Sequence, residues 1–330
     1  MMHFAAPLGL APPEVLLSTG AKMPVLALGT GHSNSRGGLS TPKMLQLALS
    51  LGYDHIDTSE VYPNFRQIGP ALQRGGYSRE RYFLTTKIDV TAPIARQRRC
   101  CSNGTGCFDV VIDAMVTQLR TLRVDYVDMA LLHRPPRCGG GGRRKSCDRP
   151  VQCTRLREQW RAMEAVHQAQ QARAIGVSNY CVETLTCLLG TSKVKPAVLQ
   201  QMHRLGMGAD PFGYISWARS LGIHYMAYSV LGGADRKTAE LFQSPIARGI
   251  ATARGVSVAE VATRWVVELG LPLVLLSNKP SHLVSNLRLV RNTSLALTSD
   301  EMGRLSALTS PAGRPSTWGD CVDTHAPHPK

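Results

Sequence analysis

Short apolar runs alternate with amphipathic stretches along almost the whole chain. Runs that read as strands fall at 25–28, 55–57, 82–87, 126–133, 173–177, 197–200, 223–228 and 271–276. Between them, apolar residues at three- and four-residue spacing read as helices at 44–51, 110–122, 155–168, 182–189 and 258–269. Ser257 ahead of Val258, with Glu260 in the first turn, is the pattern of a helix N-cap followed by an acidic residue. Several strands are apolar without alternation, as expected when both faces are covered.

Strand–helix units repeated in succession predict parallel strands joined by crossover helices. A chain of 330 residues with a patterned core over about 20–308 suits one (β/α)8 TIM barrel of the α/β class, read as a single domain. Two stretches interrupt the pattern, 92–107 and 137–153. Both are rich in Gly, Arg and Cys, lack apolar periodicity and follow a strand directly. They are expected to be long inserted loops on the C-terminal face, where barrels build their sites. The tail at 310–330 is expected to be loose.

Composition narrows the class. A chain with 43% hydrophobic and 18% charged residues is globular. Thirty-eight Lys+Arg against 23 Asp+Glu give +15. Much of that excess sits in Arg96, Arg98 and Arg99, and in Arg137, Arg143, Arg144, Lys145 and Arg149, with Asp148 the one acid among them. No helix-turn-helix pattern, zinc-finger spacing or aromatic–basic interleaving accompanies them, so they read as solvated loops and nucleic acid is an unlikely partner. No run approaches the roughly 20 apolar residues of a membrane span. The start, MMHFAAPLGLAPPEVL, lacks a basic n-region. A soluble cytoplasmic protein, monomeric or weakly dimeric, is expected.

Several chemistries drop out. Gly29-Thr30-Gly31 continues as His-Ser-Asn, so there is no G-x-G-x-x-G after a strand, and P-loop, G-x-S-x-G, H-E-x-x-H and C-x-x-C motifs are missing. The candidate chemistry lies at strand ends. Asp57 ends one strand, with Tyr62 in the loop after it; Lys87 ends YFLTTK and His133 ends VDYVDMALLH. Singly, each has an ordinary structural explanation. Together, in a barrel, they converge at one mouth, and the set suits proton donation. A tyrosine with a pKa near 10 donates poorly at neutral pH, an adjacent ammonium lowers it, and a carboxylate keeps that ammonium charged. A histidine can orient a carbonyl oxygen. Tyr62, Lys87, Asp57 and His133 therefore suit reduction of a carbonyl group.

The chain resembles the aldo-keto reductases. MPVLALGTG at 23–31 looks like that family's opening strand, and GYDHIDTSEVYPNFRQIGPAL at 52–72 is similar to its first signature. FLTTK at 83–87, LLHRPP at 131–136, RAIGVSNY at 173–180, HYMAYSVLGG at 224–233 and SNKPSHLVSNL at 277–287 continue it in order. The resemblance implies a barrel with a short N-terminal β-hairpin that holds NADPH without a Rossmann motif and reduces a small-molecule aldehyde or ketone. It implies Tyr62 as general acid, Lys87 and Asp57 as its tuning pair, and His133 at the substrate carbonyl. It also implies Ser178, Asn179 and Gln200 at the nicotinamide carboxamide and Tyr228 on the nicotinamide face. Thr30, Ser229 and Leu231, the latter two within the 229–232 pyrophosphate segment, and Ser277, His282 and Asn286 at the adenosine end complete the cofactor set. No metal is implied.

The departures bear on specificity. Pro63-Asn64-Phe65 replaces the family's usual Gly-Asn-Glu, and Leu199 and Met202 replace polar residues beside Gln200. Arg134 stands where an aromatic usually follows the histidine, which points to a polar or anionic substrate. Leu275-Leu276-Ser277 replaces the usual Pro-Lys-Ser, so the lysine for the 2′-phosphate is missing, and His282 stands for an arginine. A weakened preference for NADPH over NADH is expected, unless Lys279 substitutes. The alternative to an enzyme is a catalytically weak, cofactor-binding sensor on the same barrel.

Cysteines gather in the two interruptions, with Cys100, Cys101 and Cys107 in one and Cys138, Cys147 and Cys153 in the other. Reduced, unpaired thiols are expected for a reducing compartment, the alternatives being thiols paired across the two loops as a redox-sensitive lid, or a metal site, for which no spacing is clean.

Overall fold

The computed structural model describes residues 14–31, 38–91, 96, 99–100, 106–135, 151–232, 238–292 and 295–308. Eight parallel strands close into a barrel: β3 (Leu26–Gly29), β4 (His55–Asp57), β5 (Phe83–Ile88), β6 (Val127–Leu132), β7 (Ala172–Ser178), β8 (Val198–Met202), β9 (His224–Tyr228) and β10 (Leu273–Leu276), which pairs back onto β3. The (β/α)8 expectation holds, and every strand expected from the pattern is present with its ends moved by no more than two residues. Ahead of the barrel, β1 (Glu14–Leu16) pairs antiparallel with β2 (Lys22–Pro24).

Two apolar layers hold the barrel, and strand alternation sorts residues between them. Side chains at even spacing on a strand share a face. Ala27, Phe83, Met129, Leu131, Ala174, Val198 and Met226 point inward and pack on one another. Leu17 and Met23 of the hairpin join that cluster and close the N-terminal end; His224 Nε2 lies 3.0 Å from Leu16 O and His55 Nδ1 lies 2.9 Å from Pro24 O. Their outward neighbours, such as Leu28, Leu84, Ala130, Ile175 and Leu199, meet the helices.

The helices are α1 (Thr41–Leu51), α2 (Phe65–Arg74), α3 (Gly106–Leu122), α4 (Val151–Gln168), α5 (Val182–Leu189), α6 (Tyr214–Ser220), α7 (Thr238–Gln243), α8 (Pro245–Arg254), α9 (Val258–Glu268), α10 (Pro280–Arg291) and α11 (Ser299–Ser306). Ser257 caps α9 as expected: its Oγ accepts from Glu260 N at 3.2 Å, and Glu260 Oε2 accepts from Ser257 N at 2.8 Å. Helices α2, α6, α7, α8, α10 and α11 are not foreseen by the apolar pattern. Pro70 sits inside α2, yet Phe65, Ile68, Gly69 and Leu72 still make a buried stripe. Gly69 is required there, because a Cβ would lie 2.3 Å from Leu122 O at the end of α3. In the first turn of α6, Ile215 N donates to Asp210 Oδ1 at 2.7 Å.

The interruptions are shorter than expected. Helix α3 begins at Gly106 and α4 at Val151, so helix claims the C-terminal end of each stretch. Most of both, and the 310–330 tail, lie outside the described residues. The expectation of unpaired thiols is not met. Cys100 pairs with Cys107 inside one stretch, and Cys153 pairs with Cys187, joining the first turn of α4 to the last of α5 rather than one loop to the other. The helices bring those residues together, with Cα separations of 4.0 and 5.6 Å. Among the described residues no helix is long and apolar enough to cross a membrane.

Candidate functional site

The inward faces that carry Ala27, Phe83, Leu131, Ala174, Val198 and Met226 continue upward by twos. The next inward positions are Gly29 and Gly31, Lys87, His133, Ser178, Gln200 and Tyr228, with Asp57 above His55 on β4. The core thus turns polar in its top layer, where the strands end. A cleft of about 960 Å³ opens there and runs from Asp57 and Lys87 past Tyr228–Leu231 to Ser277, Asn286 and Leu289.

Lys87 and Asp57 form an ion pair at that floor, 1% and 2% exposed. Burial of two charges is costly unless the remaining donors and acceptors are also met. Here they are. Lys87 Nζ also reaches Thr58 O at 3.3 Å and Tyr62 Oη at 3.5 Å, and Gln200 Nε2 donates to Asp57 Oδ2 at 2.9 Å. Burial alone would drive Lys87 to lose its proton, but Asp57 and Tyr62 together hold its pKa above the ordinary value. The ammonium stays charged.

For Tyr62 the balance runs the other way. Burial of the phenol pushes its pKa above the ordinary value, and the Lys87 charge only partly offsets this, with Asp57 opposing it. The net direction is therefore opposite to the lowering expected from Lys87 alone. Gly31 makes room for the ring: a Cβ there would lie 3.0 Å from Tyr62 Cζ. His133 meets the same ring edge-on, at 6.1 Å and 87°. Its pKa falls well below the ordinary value through burial, then through Lys87 and Arg134, so the imidazole is neutral. Nδ1 lies 3.2 Å from Ser59 Oγ and 3.4 Å from Asp89 Oδ2. Nε2 has no protein partner among the described residues.

The wall beyond is polar. Asn179, at φ 60°, donates from Nδ2 to His133 O at 2.9 Å, and Tyr228 Oη donates to Asn179 Oδ1 at 2.6 Å. At the far end Ser277 Oγ lies 3.2 Å from His282 Nδ1, and Ser285 Oγ donates to Glu260 Oε1 at 2.9 Å. Leu276 stands 50% exposed beside them.

Of the residues singled out by sequence, Asp57, Tyr62, Lys87, His133, Arg134, Ser178, Asn179, Gln200, Tyr228, Ser229, Leu231, Ser277, His282 and Asn286 all line this one cleft. Thr30 does not. It is fully buried, and its hydroxyl is spent on Asp57 O at 3.1 Å and Thr58 Oγ1 at 2.9 Å. Ser59, Glu60, Asp89 and Glu260 were missed as site residues. For Asp89 a signal existed, since it lies two residues beyond Lys87 and so on the same inward face.

The residues fit a dinucleotide. An elongated cleft joins a reacting end of proton donors to polar side chains that can take an amide at one point and ribose hydroxyls at another. Known proteins agree with this shape and chemistry. The chain is 31% identical over 304 residues to a D-galacturonate reductase of Fragaria ananassa, spanning 88% of each. It is 29% identical over 309 residues to an NADPH-dependent codeinone reductase of Papaver somniferum, spanning 90% of this chain and 89% of that one. A solved aldo-keto reductase of Bombyx mori in complex with NADP superposes with a TM-score of 0.71 at 25% identity, over 91% of this chain and 94% of the other. The pattern of the aldo/keto reductase family matches residues 25–310, and the chain belongs to that family.

Proposed function

We propose that the protein reduces an aldehyde or ketone to the alcohol with a nicotinamide cofactor, Tyr62 giving the proton. The observation that carries this is the position of Lys87, between the carboxylate of Asp57 and the hydroxyl of Tyr62. When bound, the reduced nicotinamide supplies the hydride. The chain's residues supply everything else. Tyr62 stays protonated at working pH because burial holds its pKa up, and the Lys87 ammonium stabilises the phenolate left once the proton is given. Neutral His133, with Nδ1 turned to Ser59 and Asp89, offers Nε2 to orient the carbonyl oxygen. Ser178, Asn179 and Gln200 would hold the nicotinamide amide and Tyr228 its ring face. The 229–232 turn would follow the diphosphate.

At the adenosine end, Ser277, His282 and Asn286 are the candidate contacts. NADPH is the cofactor named for one relative and present in one solved neighbour as NADP. Among the described residues, however, two Lys or Arg side chains line the cleft, Lys87 and Arg134, both at the reacting end. Exposed Leu276 and the Glu260 carboxylate at the other end support use of NADH as well. Arg134 places a cation at the rim beside the carbonyl position, which favours polar or anionic carbonyl compounds.

Oxidation of NADPH and NADH, followed by absorbance with aldehydes, sugars and keto acids, tests the reading. Tyr62→Phe is expected to slow turnover by about 10²-fold or more. Turnover unchanged in that variant removes the proton-donor assignment.

A further inference from the structure

Beside His133 lies a second buried carboxylate that proton transfer does not require. Asp89 is 1% exposed. Its Oδ1 accepts from Thr91 N at 2.9 Å and from Thr91 Oγ1 at 2.6 Å. Its Oδ2 faces Arg134 Nε at 2.9 Å and His133 Nδ1 at 3.4 Å. The aspartate is therefore fastened on one side by its own turn and presents the other side to the two residues that follow β6. Its backbone is tied too, because Asp89 N donates to Glu60 Oε1 at 2.9 Å, and Glu60 pairs with Arg96 at 2.5 Å.

The consequence falls on Arg134. Its Nε lies against Asp89 as an ion pair, without hydrogen-bond geometry, its side chain remains 34% exposed, and it lines the cleft. Among the described residues it has no other partner, so both Nη groups are left without a protein acceptor. A guanidinium drawn at one edge to a buried carboxylate presents its other N–H groups as a fork, and two parallel N–H donors match one carboxylate. Tyr62 Oη and His133 Nε2 already serve a carbonyl oxygen. The Arg134 fork is a third donor position in the same end of the cleft, and no carboxylate competes for its Nη groups among the described residues: Asp57 is held by Lys87 and Gln200, and Asp89 faces Nε.

We infer that Arg134, positioned by Asp89, anchors a carboxylate of the substrate, so that the protein favours carbonyl acids: aldehydes or ketones carrying a carboxylate a few bonds from the carbonyl. This rests on the carbonyl-reductase reading of the site. A carboxylate in that place pairs the free side of the guanidinium and fixes the direction from acid to carbonyl, which a neutral substrate cannot do. Asp89 acts through Arg134 and is a positioning residue.

The test uses two aldehydes of one chain length, succinic semialdehyde and butanal, with NADPH and with NADH. Wild type is expected to favour the acid by about tenfold or more in kcat/KM, the scale of a charge-assisted hydrogen bond. Arg134→Gln is expected to erase that ratio and Arg134→Lys to restore part of it. Asp89→Asn is expected to lower it through KM for the acid rather than kcat. Independently of turnover, succinate binding to protein loaded with NADP⁺, measured by calorimetry, is expected to weaken about tenfold in Arg134→Gln. Equal use of the two aldehydes by wild type, or a ratio and a succinate affinity that survive Arg134→Gln, overturns the carboxylate anchor alone. Failure to reduce any carbonyl compound with either nucleotide instead overturns the reductase reading, and the anchor with it.

Discussion

Lys87 Nζ stands 3.5 Å from Tyr62 Oη while it pairs with Asp57. The ammonium is thus shared between a carboxylate and a phenol that becomes anionic when it gives up its proton. That arrangement makes stability and turnover depend on the same atoms.

Removing one partner of the buried pair strands the other. Lys87→Met is expected to destabilise the fold by about 3–5 kcal/mol, because a buried carboxylate loses its countercharge. Lys87→Met combined with Asp57→Asn should recover much of that loss, though not turnover. Urea unfolding of both single variants and the pair supplies the double-mutant cycle.

The pH dependence of reduction follows from the two shifted groups. The Tyr62 pKa is raised, so its proton is retained as pH climbs towards the ordinary value of about 10. The His133 pKa is lowered, so the imidazole stays neutral as pH falls through its ordinary value near 6.5. A kcat/KM profile that is flat between those limits is the expected outcome. A basic limb near pH 8 that disappears in Tyr62→Phe would contradict the first assignment.

His203 makes a separate prediction about stability. Its ring stacks on Trp265 at 5.2 Å and 9°, and neither nitrogen has a hydrogen-bond partner among the described residues. Burial lowers its pKa to about 4. The unfolded chain therefore takes up a proton near pH 6.5 while the folded protein does not. Stability is unaffected above pH 6.5, falls as pH drops from there to about 4, and levels off below, at a total cost of about 3 kcal/mol. His203→Phe should flatten that arm of the stability curve.

At the far end of the cleft, Leu276→Lys adds a cation beside Ser277 and His282. A charged hydrogen bond to a phosphate predicts a kcat/KM for NADPH raised by about tenfold relative to that for NADH. Steady-state constants for both nucleotides decide it, and an unchanged ratio places the 2′-phosphate elsewhere.

Gly31→Ala tests the space behind the phenol. A methyl 3.0 Å from Tyr62 Cζ must displace the ring that Lys87 touches. Turnover should fall while the far-ultraviolet circular dichroism stays that of wild type.

What the chain revealed on its own was the alternation of strands and helices, because burial on both faces or on one face leaves a period that reads directly from the residues. Asp57, Lys87 and His133 were legible for the same reason, being polar residues at the ends of apolar runs. Helices α2 and α10 were not: Pro70 interrupts the pattern of α2, and packing of α2 against α3 and of α10 against α9 supplies what local preference lacks. The pairing of Cys153 with Cys187, the burial that raises Tyr62 rather than lowering it, and the hold of Asp89 on Arg134 were decided only by the folded chain. Each depends on distance between residues remote in sequence, or on how much water reaches an atom. Barrel closure and strand register set both, and no local period encodes them.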